Sequence, residues 1–144
     1  MTLKDEAATA AAGAALARLV RPGDVITLSG PLGSGKTTFA RGLIAALGHD
    51  GEVPSPSFAL VQPYEDIAPP VWHADLYRIE KEAELAELGL DCAEEGVLLV
   101  EWPEHAPAGM WTDALRLVFE AGDDGARRLT ADVPPAWEER CPFR

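Results

Sequence analysis

Residues 30–37, GPLGSGKT, match the GxxxxGK[ST] pattern of a phosphate-binding P-loop. Glycine permits the positive φ angles that turn successive backbone N–H groups toward one point, where they can surround phosphate oxygens. The side chain of Lys36 can reach the β- and γ-phosphates, and the hydroxyl of Thr37 can ligate Mg²⁺. The pattern therefore predicts a nucleoside triphosphate site, with its phosphate-binding residues at Gly33, Ser34, Gly35, Lys36, Thr37 and Thr38.

Two carboxylates end apolar segments that should be strands. The most apolar run, 97–100, leads into Glu101, as a Walker B strand leads into an acidic residue that holds Mg²⁺. Asp75 ends a second predicted strand, where a carboxylate could orient the attacking water or bind the metal through water. A helix cap or an ion pair with Arg78 is the structural alternative for Asp75. Together with the P-loop, these residues indicate a magnesium-dependent hydrolysis site with Asp75 and Glu101 as its catalytic residues.

Three further side chains have less specific sequence signals. Ser57 lies in a proline-stiffened segment after the P-loop helix, where switch proteins place a hydroxyl that senses the γ-phosphate, although an ordinary rigid loop fits equally well. Trp102 could pack near the nucleotide or seal the edge of the sheet, and composition favours the second. His73 is interpreted as a strand histidine with satisfied hydrogen bonds and not as a catalytic base.

Motifs that are absent from the sequence narrow the class of NTPase. There is no NKxD guanine-recognition motif, and no DxxG follows the P-loop. An arginine-rich lid, which small-molecule kinases close over their substrates, is also missing. ATP is therefore preferred to GTP by elimination.

The elements around these residues predict an α/β fold. Helices are expected over 5–19, 36–47 and 80–89, and strands over 24–29, 58–62, 71–75, 97–100, 115–119 and 128–133, the last two as outer strands. A buried strand that leads into the glycine loop is typical of a P-loop NTPase-like three-layer domain, and the strand-rich second half indicates a mixed, partly antiparallel sheet. Residues 1–144 are expected to form one domain, with no clear element over 134–144.

Charge and composition exclude several functions. The 144 residues carry a formal charge of −12, from 12 basic and 24 acidic side chains, and no basic cluster is present. Because nucleic acid is bound mainly through its phosphates by Lys and Arg, direct DNA or tRNA binding is not expected. The apolar stretch 7–20 is too short to span a bilayer and lacks a basic leader. The two cysteines, Cys92 and Cys141, suggest no disulfide or zinc site, and the protein is expected to be cytoplasmic.

Four ordered motifs give the chain a more specific resemblance. The segments GPLGSGKTTFARGLIAALG, SPSFALVQPY, HADLYR and LLVEWPE occur in the order and at the spacing of the TsaE family of YjeE-like P-loop ATPases. This similarity covers about residues 3–104. It implies an ATPase needed to form N6-threonylcarbamoyladenosine at tRNA position 37. The family works with the proteins TsaB and TsaD, so tRNA would be met only through that complex.

The resemblance also assigns roles to individual residues. It implies that Lys36 and Thr37 bind the phosphates of ATP or ADP and Mg²⁺, that Glu101 is the second metal ligand, and that Asp75 is required for hydrolysis. It places Trp102 beside the nucleotide. Hydrolysis is expected to be slow in the isolated protein and tied to the partner complex. A small-molecule kinase and a non-catalytic, nucleotide-gated binding module are the alternatives.

The chain departs from the family pattern SPT[YF]T at two positions. Ser57 replaces the first threonine and keeps its hydroxyl, so a contact with the γ-phosphate is still possible there. Ala59 replaces the second threonine and removes a polar group, which puts any role of that threonine in doubt for this chain.

Overall fold

A computed structural model describes residues 1–54, 56, 60–90, 95–107, 109–122 and 125–143. Within these ranges the strands are β1 Thr2–Leu3, β2 Val25–Ser29, β3 Val61–Tyr64, β4 Val71–Asp75, β5 Val97–Glu101, β6 Leu115–Ala121 and β7 Arg127–Asp132. The α-helices are α1 Glu6–Ala17, α2 Lys36–Ala46 and α3 Glu82–Glu87. Single 3₁₀ turns cover Pro103–His105 and Pro135–Trp137.

The strands form one mixed sheet in the order β1-β7-β6-β2-β5-β4-β3. The central strand β2 pairs in parallel with both β5 and β6, and β4 pairs in parallel with β5. The pairs β3–β4, β6–β7 and β1–β7 are antiparallel. The carboxyl ends of β2, β4 and β5 therefore meet at one edge of the sheet, next to the start of α2.

Both faces of the sheet are covered, as the alternation of side chains on β5 shows. Val97 and Leu99 belong to a large apolar cluster with residues of α1 and α2. Leu98 and Val100 belong to a second, smaller cluster that includes Leu85 of α3. Successive strand residues point to opposite faces, so a strand buried on both sides is apolar throughout. The predicted three-layer α/β architecture with a mixed sheet is confirmed.

The helices α1 and α2 contact each other through their backbones. A Cβ atom on Gly13 of α1 would overlap the carbonyl oxygen of Phe39, and one on Gly42 of α2 would overlap that of Ala10. Only glycine fits at such a contact. The side chain of Asp5 accepts a hydrogen bond from the amide of Ala8 at 2.8 Å and so caps the start of α1.

Three element predictions need correction. Strand β3 begins at Val61 and not at 58, because Leu60 has φ 66°, which interrupts an extended strand; positions 58 and 59 lie outside the described residues. Helix α3 is shorter than the predicted 80–89. Neither β6 nor β7 is an outer strand, since β6 pairs with β2 and β7, and β7 also pairs with the two-residue strand β1 at the edge.

The segment after β7 is more ordered than the sequence predicts. It contains the 3₁₀ turn Pro135–Trp137, and the side chain of Trp137 is 1% exposed. Cys141 and Phe143 are also buried and join the larger cluster. The tail therefore covers part of the core.

Candidate phosphate-binding site

The glycine loop lies between the last residue of β2 and the first residue of α2, as predicted. Gly33 has φ 76° and Gly35, the N-cap of α2, has φ 104°, a region that side chains with a Cβ rarely adopt. The loop bounds a cavity of about 190 Å³. Its lining residues are Glu6, Leu32, Gly33, Ser34, Gly35, Lys36, Thr37, Thr38, Asp75, Glu101, Trp102 and Arg127. Nine of the ten predicted site residues (all but Ser57) are in this set.

The loop residues suit an anion. The first turn of α2 presents backbone N–H groups that have no partner inside the helix, and its dipole favours negative charge. The hydroxyl oxygen of Ser34 is buried and has no hydrogen-bond partner among the described residues. Buried polar atoms are nearly always paired. An oxygen ligand such as phosphate would supply the missing partner.

Lys36 is withdrawn from water within the site. Its side chain is 4% exposed, and Nζ donates a hydrogen bond to the carbonyl oxygen of Gly30. The same ammonium lies 4.0 Å from the centroid of the Trp102 ring, a cation–π contact. Burial lowers the pKa of Lys36, and the negative charges of Glu101 and Asp75 offset part of that effect.

The predicted carboxylates lie side by side on neighbouring strands. Asp75 of β4 is in register with Glu101 of β5, and their exposed fractions are 5% and 3%. Thr37 Oγ1 lies 3.3 and 3.4 Å from the two carboxylate oxygens of Glu101. Asp75 Oδ1 also accepts a hydrogen bond from the amide of Tyr77 at 2.9 Å, in the turn that follows β4 and not at the start of a helix.

Trp102 has two sets of neighbours, and its place beside the nucleotide stays a prediction. It packs against the smaller apolar cluster and also lines the cavity over Lys36. Its backbone has φ 59° and ψ 51°, a left-handed conformation that is uncommon for a bulky residue and directs the chain into the following 3₁₀ turn. The Tyr77 ring lies 4.9 Å away, centroid to centroid.

His73 belongs to the site, although the sequence interpretation left it out. It is fully buried, and Nε2 lies 2.6 Å from Oε2 of Glu101. Its Nδ1 has no partner among the described residues, so the prediction that both ring nitrogens of this histidine are hydrogen-bonded is not met there. The spacing to Asp75 was a usable signal, because residues two apart on a strand share a face.

Glu6 and Arg127 were also missed. Glu6 lies in the first turn of α1, and Arg127 begins β7 and passes close to Gly35. Neither belongs to a recognisable motif, and only the packing of α1 and β7 against the loop brings them there. Ser57 lies outside the described residues, so its contact remains a prediction.

The site offers few protein oxygens for a metal. Across the described ranges, no group of three or more His, Cys, Asp or Glu side chains is arranged to hold a metal ion. Mg²⁺, however, usually takes only one or two protein ligands and completes its shell with phosphate oxygens and water. Thr37 and Glu101 fit that pattern. In the same ranges, no helix has the length and apolar character needed to cross a bilayer.

A glycine loop between a buried strand and a helix, with two carboxylates at the ends of adjacent parallel strands, defines a P-loop nucleotide-binding protein. The sequence comparisons then make the assignment specific. The family model described as "Threonylcarbamoyl adenosine biosynthesis protein TsaE" matches residues 3–129, and the chain belongs to this family. The match confirms the resemblance and continues past residue 104, through β6 and into β7.

Individual relatives agree with the family assignment. The chain is 40% identical over 116 residues to the protein named tRNA threonylcarbamoyladenosine biosynthesis protein TsaE of Bacillus subtilis, covering 79% of this chain and 72% of the relative. It is 41% identical over 139 residues to the protein of the same name from Streptomyces coelicolor, covering 84% and 94%. The crystal structure of Bacillus subtilis YdiB is similar with a TM-score of 0.82 and 32% identity, covering 96% of this chain and 88% of that one.

Proposed function

We propose that this protein is a magnesium-dependent ATPase that supports the formation of N6-threonylcarbamoyladenosine at position 37 of tRNA. The observation that carries the proposal is the convergence of Thr37, Asp75 and Glu101 on one cavity beside the P-loop, in a chain of the TsaE family. We further propose that it acts in the cytoplasm with TsaB and TsaD, and that residues 1–144 work as one domain.

The phosphate chain of ATP is the substrate that the loop fits. Backbone N–H groups of the loop and the first turn of α2 would bind the phosphate oxygens, with the hydroxyl of Ser34 as an additional donor. Lys36 would leave the carbonyl of Gly30 and bind the β- and γ-phosphates. Its contact with the ring of Trp102 keeps the ammonium within reach of them.

Thr37 and Glu101 are the residues that would hold Mg²⁺, since the threonine hydroxyl and the carboxylate oxygens already lie 3.3 and 3.4 Å apart. Mg²⁺ held there would supply positive charge against the negative charge of the phosphates. The buried position of Glu101 keeps this charge interaction away from bulk water, where it would be weaker.

Asp75 is the residue best placed to act on water. Its carboxylate lies beside Glu101 and lines the same cavity, so it can accept a hydrogen bond from a water near the γ-phosphate. In the hydrolysis, the water oxygen bonds to the γ-phosphorus while the bond to the β–γ bridging oxygen breaks, which yields ADP and inorganic phosphate. Ser57 is proposed to contact the γ-phosphate, on the basis of the sequence resemblance alone.

The charge of the chain supports an indirect role toward tRNA. A net charge of −12 disfavours direct contact with the tRNA backbone, and favours partners that have basic surfaces. The proposal therefore assigns tRNA binding and threonylcarbamoyl transfer to the partner proteins, with this chain supplying ATP hydrolysis.

The test is reconstitution with TsaB, TsaD, tRNA and ATP, measuring both the modified nucleoside and released phosphate. An ATP-dependent gain in modification that Lys36→Ala abolishes supports the proposal, and no gain from the wild-type protein overturns it. Asp75→Ala separates the alternatives: unchanged modification without hydrolysis would indicate a nucleotide-gated binding module. Transfer of the γ-phosphate from ATP to a metabolite would indicate a kinase.

A further inference from the structure

The contact between His73 and Glu101 is short and fully enclosed. His73 Nε2 lies 2.6 Å from Glu101 Oε2, and the side chains are 0% and 4% exposed. Hydrogen bonds between a ring nitrogen and a carboxylate are shorter and stronger than those between neutral groups. Since a carboxylate can only accept, Nε2 is the nitrogen that carries the proton and donates.

This hydrogen bond sets the orientation of the Glu101 carboxylate. Oε2 accepts from His73 on one side, and both carboxylate oxygens lie 3.3–3.4 Å from Thr37 Oγ1 on the other. The histidine comes from β4 and the glutamate from the adjacent strand β5, so the contact is held by the parallel register of the sheet. The carboxylate is thus kept pointing at the threonine hydroxyl.

Burying a histidine with one unpaired ring nitrogen at a strand position destabilises the fold relative to an apolar side chain. Nδ1 of His73 has no hydrogen-bond partner among the described residues, and an apolar side chain would avoid the cost of burying it. The retained polar contact is directed at the carboxylate that faces the P-loop. Hydrogen bonds of this kind to metal-binding carboxylates orient the ligand, and their removal typically lowers metal affinity about 10- to 100-fold.

We propose that His73 is a positioning residue, which holds the carboxylate of Glu101 in the orientation that binds Mg²⁺ together with Thr37. The inference rests on the proposed function, because it takes the site to be one for ATP and Mg²⁺. His73 itself touches neither nucleotide nor metal; it acts only through Glu101.

The test compares three substitutions by the Mg²⁺ dependence of binding of the fluorescent nucleotide mant-ATP. In His73→Gln the amide nitrogen can occupy the place of Nε2 and still donate. In His73→Asn the shorter side chain cannot reach Glu101, and in His73→Leu no donor remains. We expect the Mg²⁺ midpoint to rise about 10- to 100-fold in the asparagine and leucine variants and to stay near the wild-type value in the glutamine variant. Affinity in EDTA should stay near the wild-type value for all three, because the hydrogen bond acts only on the metal-binding carboxylate.

A matched control exists elsewhere in the chain. His49 Nδ1 lies 2.9 Å from Asp66 Oδ2, a second histidine–carboxylate contact that does not line the phosphate cavity. His49→Leu, which removes the ring nitrogen that contacts Asp66, should leave the Mg²⁺ midpoint unchanged. Thermal melting identifies any variant that fails to fold. If the leucine variant fails to fold, the comparison of His73→Gln with His73→Asn is sufficient for the test.

The possible outcomes separate the inference from the proposed function. An unchanged Mg²⁺ midpoint in His73→Asn, or equal shifts in the asparagine and glutamine variants, would overturn the positioning role. Equal losses of affinity with Mg²⁺ and with EDTA would also overturn it, since they would indicate a general structural defect. If wild-type protein failed to bind mant-ATP with or without Mg²⁺, the proposed function itself would fall, and the inference with it.

Discussion

Charged side chains are buried in two regions of this molecule, and the two regions differ in whether the buried polar atoms have partners within the protein. One is the phosphate site, where Lys36, Asp75 and Glu101 are each at most 5% exposed. The other is a clamp between Asp24, just before β2, and Arg140 in the tail, whose side chains are 11% and 12% exposed. Both regions bury charged side chains, but only the phosphate site also has buried polar atoms without hydrogen-bond partners among the described residues.

The clamp closes its hydrogen bonds within the protein. Arg140 donates to the two carboxylate oxygens of Asp24 at 2.8 and 2.9 Å and to the carbonyl of Leu19 at 2.9 Å. Its guanidinium also lies 3.9 Å from the centroid of the Trp137 ring. The hydrogen bonds to Asp24 raise the pKa of Arg140. This region uses charge to fasten the tail onto the core.

In the phosphate site, by contrast, some buried polar atoms have no hydrogen-bond partner among the described residues. Ser34 Oγ and His73 Nδ1 have no partners among the described residues, and burial lowers the pKa of Lys36. The opposite directions of the pKa changes at Lys36 and Arg140 express the difference. At Arg140 the hydrogen bonds to Asp24 outweigh the effect of burial on the pKa, whereas at Lys36 burial outweighs the nearby carboxylates.

The largest effect should come from Lys36→Ala in the phosphate site. We expect ATP affinity to fall roughly 100- to 1,000-fold, the cost of removing one well-placed donor from a buried anion site. The free energy of unfolding should not decrease. Because the folded state lowers the pKa of Lys36, the charged ammonium opposes folding at neutral pH, and this effect disappears as pH rises past the unfolded-state value of 10.5.

Binding of mant-ATP and thermal melting at pH 7 test this prediction together. Lys81→Ala, which removes an exposed lysine, is the matched control. A marked drop in the melting temperature of Lys36→Ala would mean that Lys36 stabilises the fold, as Arg140 does. The two regions would then not differ in this respect.

Asp75→Asn should lower the rate of ATP hydrolysis about 100-fold while ATP affinity changes by less than about threefold. The amide keeps the size of the side chain and can still accept from the amide of Tyr77. It is a much poorer acceptor for a proton from water. Phosphate release at saturating ATP measures the first effect and mant-ATP titration the second. Parallel losses in both would place Asp75 in binding and not in the chemical step.

Arg140→Ala should lower the free energy of unfolding by roughly 2 kcal/mol, because it leaves the carboxylate of Asp24 without its charged partner. For a chain of this size the melting temperature should fall by roughly 5–8 °C. ATP affinity below the transition should be unchanged. Arg128→Ala, on the exposed side of β7, serves as the control. Weaker ATP binding by folded Arg140→Ala protein would show that the tail and the phosphate site are coupled.

Ser34→Ala should have the smallest effect. It should stabilise the nucleotide-free protein and weaken ATP binding. Without nucleotide the variant should be more stable by up to about 1 kcal/mol, because a buried hydroxyl without a partner is removed. With ATP it should lose about fivefold in affinity, since one donor to phosphate is lost. Melting curves with and without ATP measure both. Destabilisation of the nucleotide-free protein would show that the Ser34 hydroxyl is already satisfied.

Local patterns were enough to predict the loop and its flanking elements. The start of α2 at Lys36 follows from the glycine loop, and the end follows from Gly48, which has φ 113° and lies just past the helix. Asp75 and Glu101 were predicted one by one as strand ends. That they are neighbours depends on the parallel register of β4 and β5, which no local pattern contains.

Features that depend on packing were not predicted. His73 reaches Glu101 only because β4 lies beside β5, and Arg127 reaches the loop only because β7 lies beyond β6. The strand β1 has two residues, too few for any periodic pattern. The burial of Trp137 requires an open side of the core, which can be recognised only when the other elements are in place.

The backbone contact at Gly13 and Gly42 has a mechanical consequence. At these two positions no side chain separates the backbones of α1 and α2, so a displacement of one helix there acts directly on the backbone of the other. Lys36 opens α2 and Glu6 opens α1, and both line the same cavity. A displacement at the phosphate end of either helix therefore reaches the cavity residue at the start of the other.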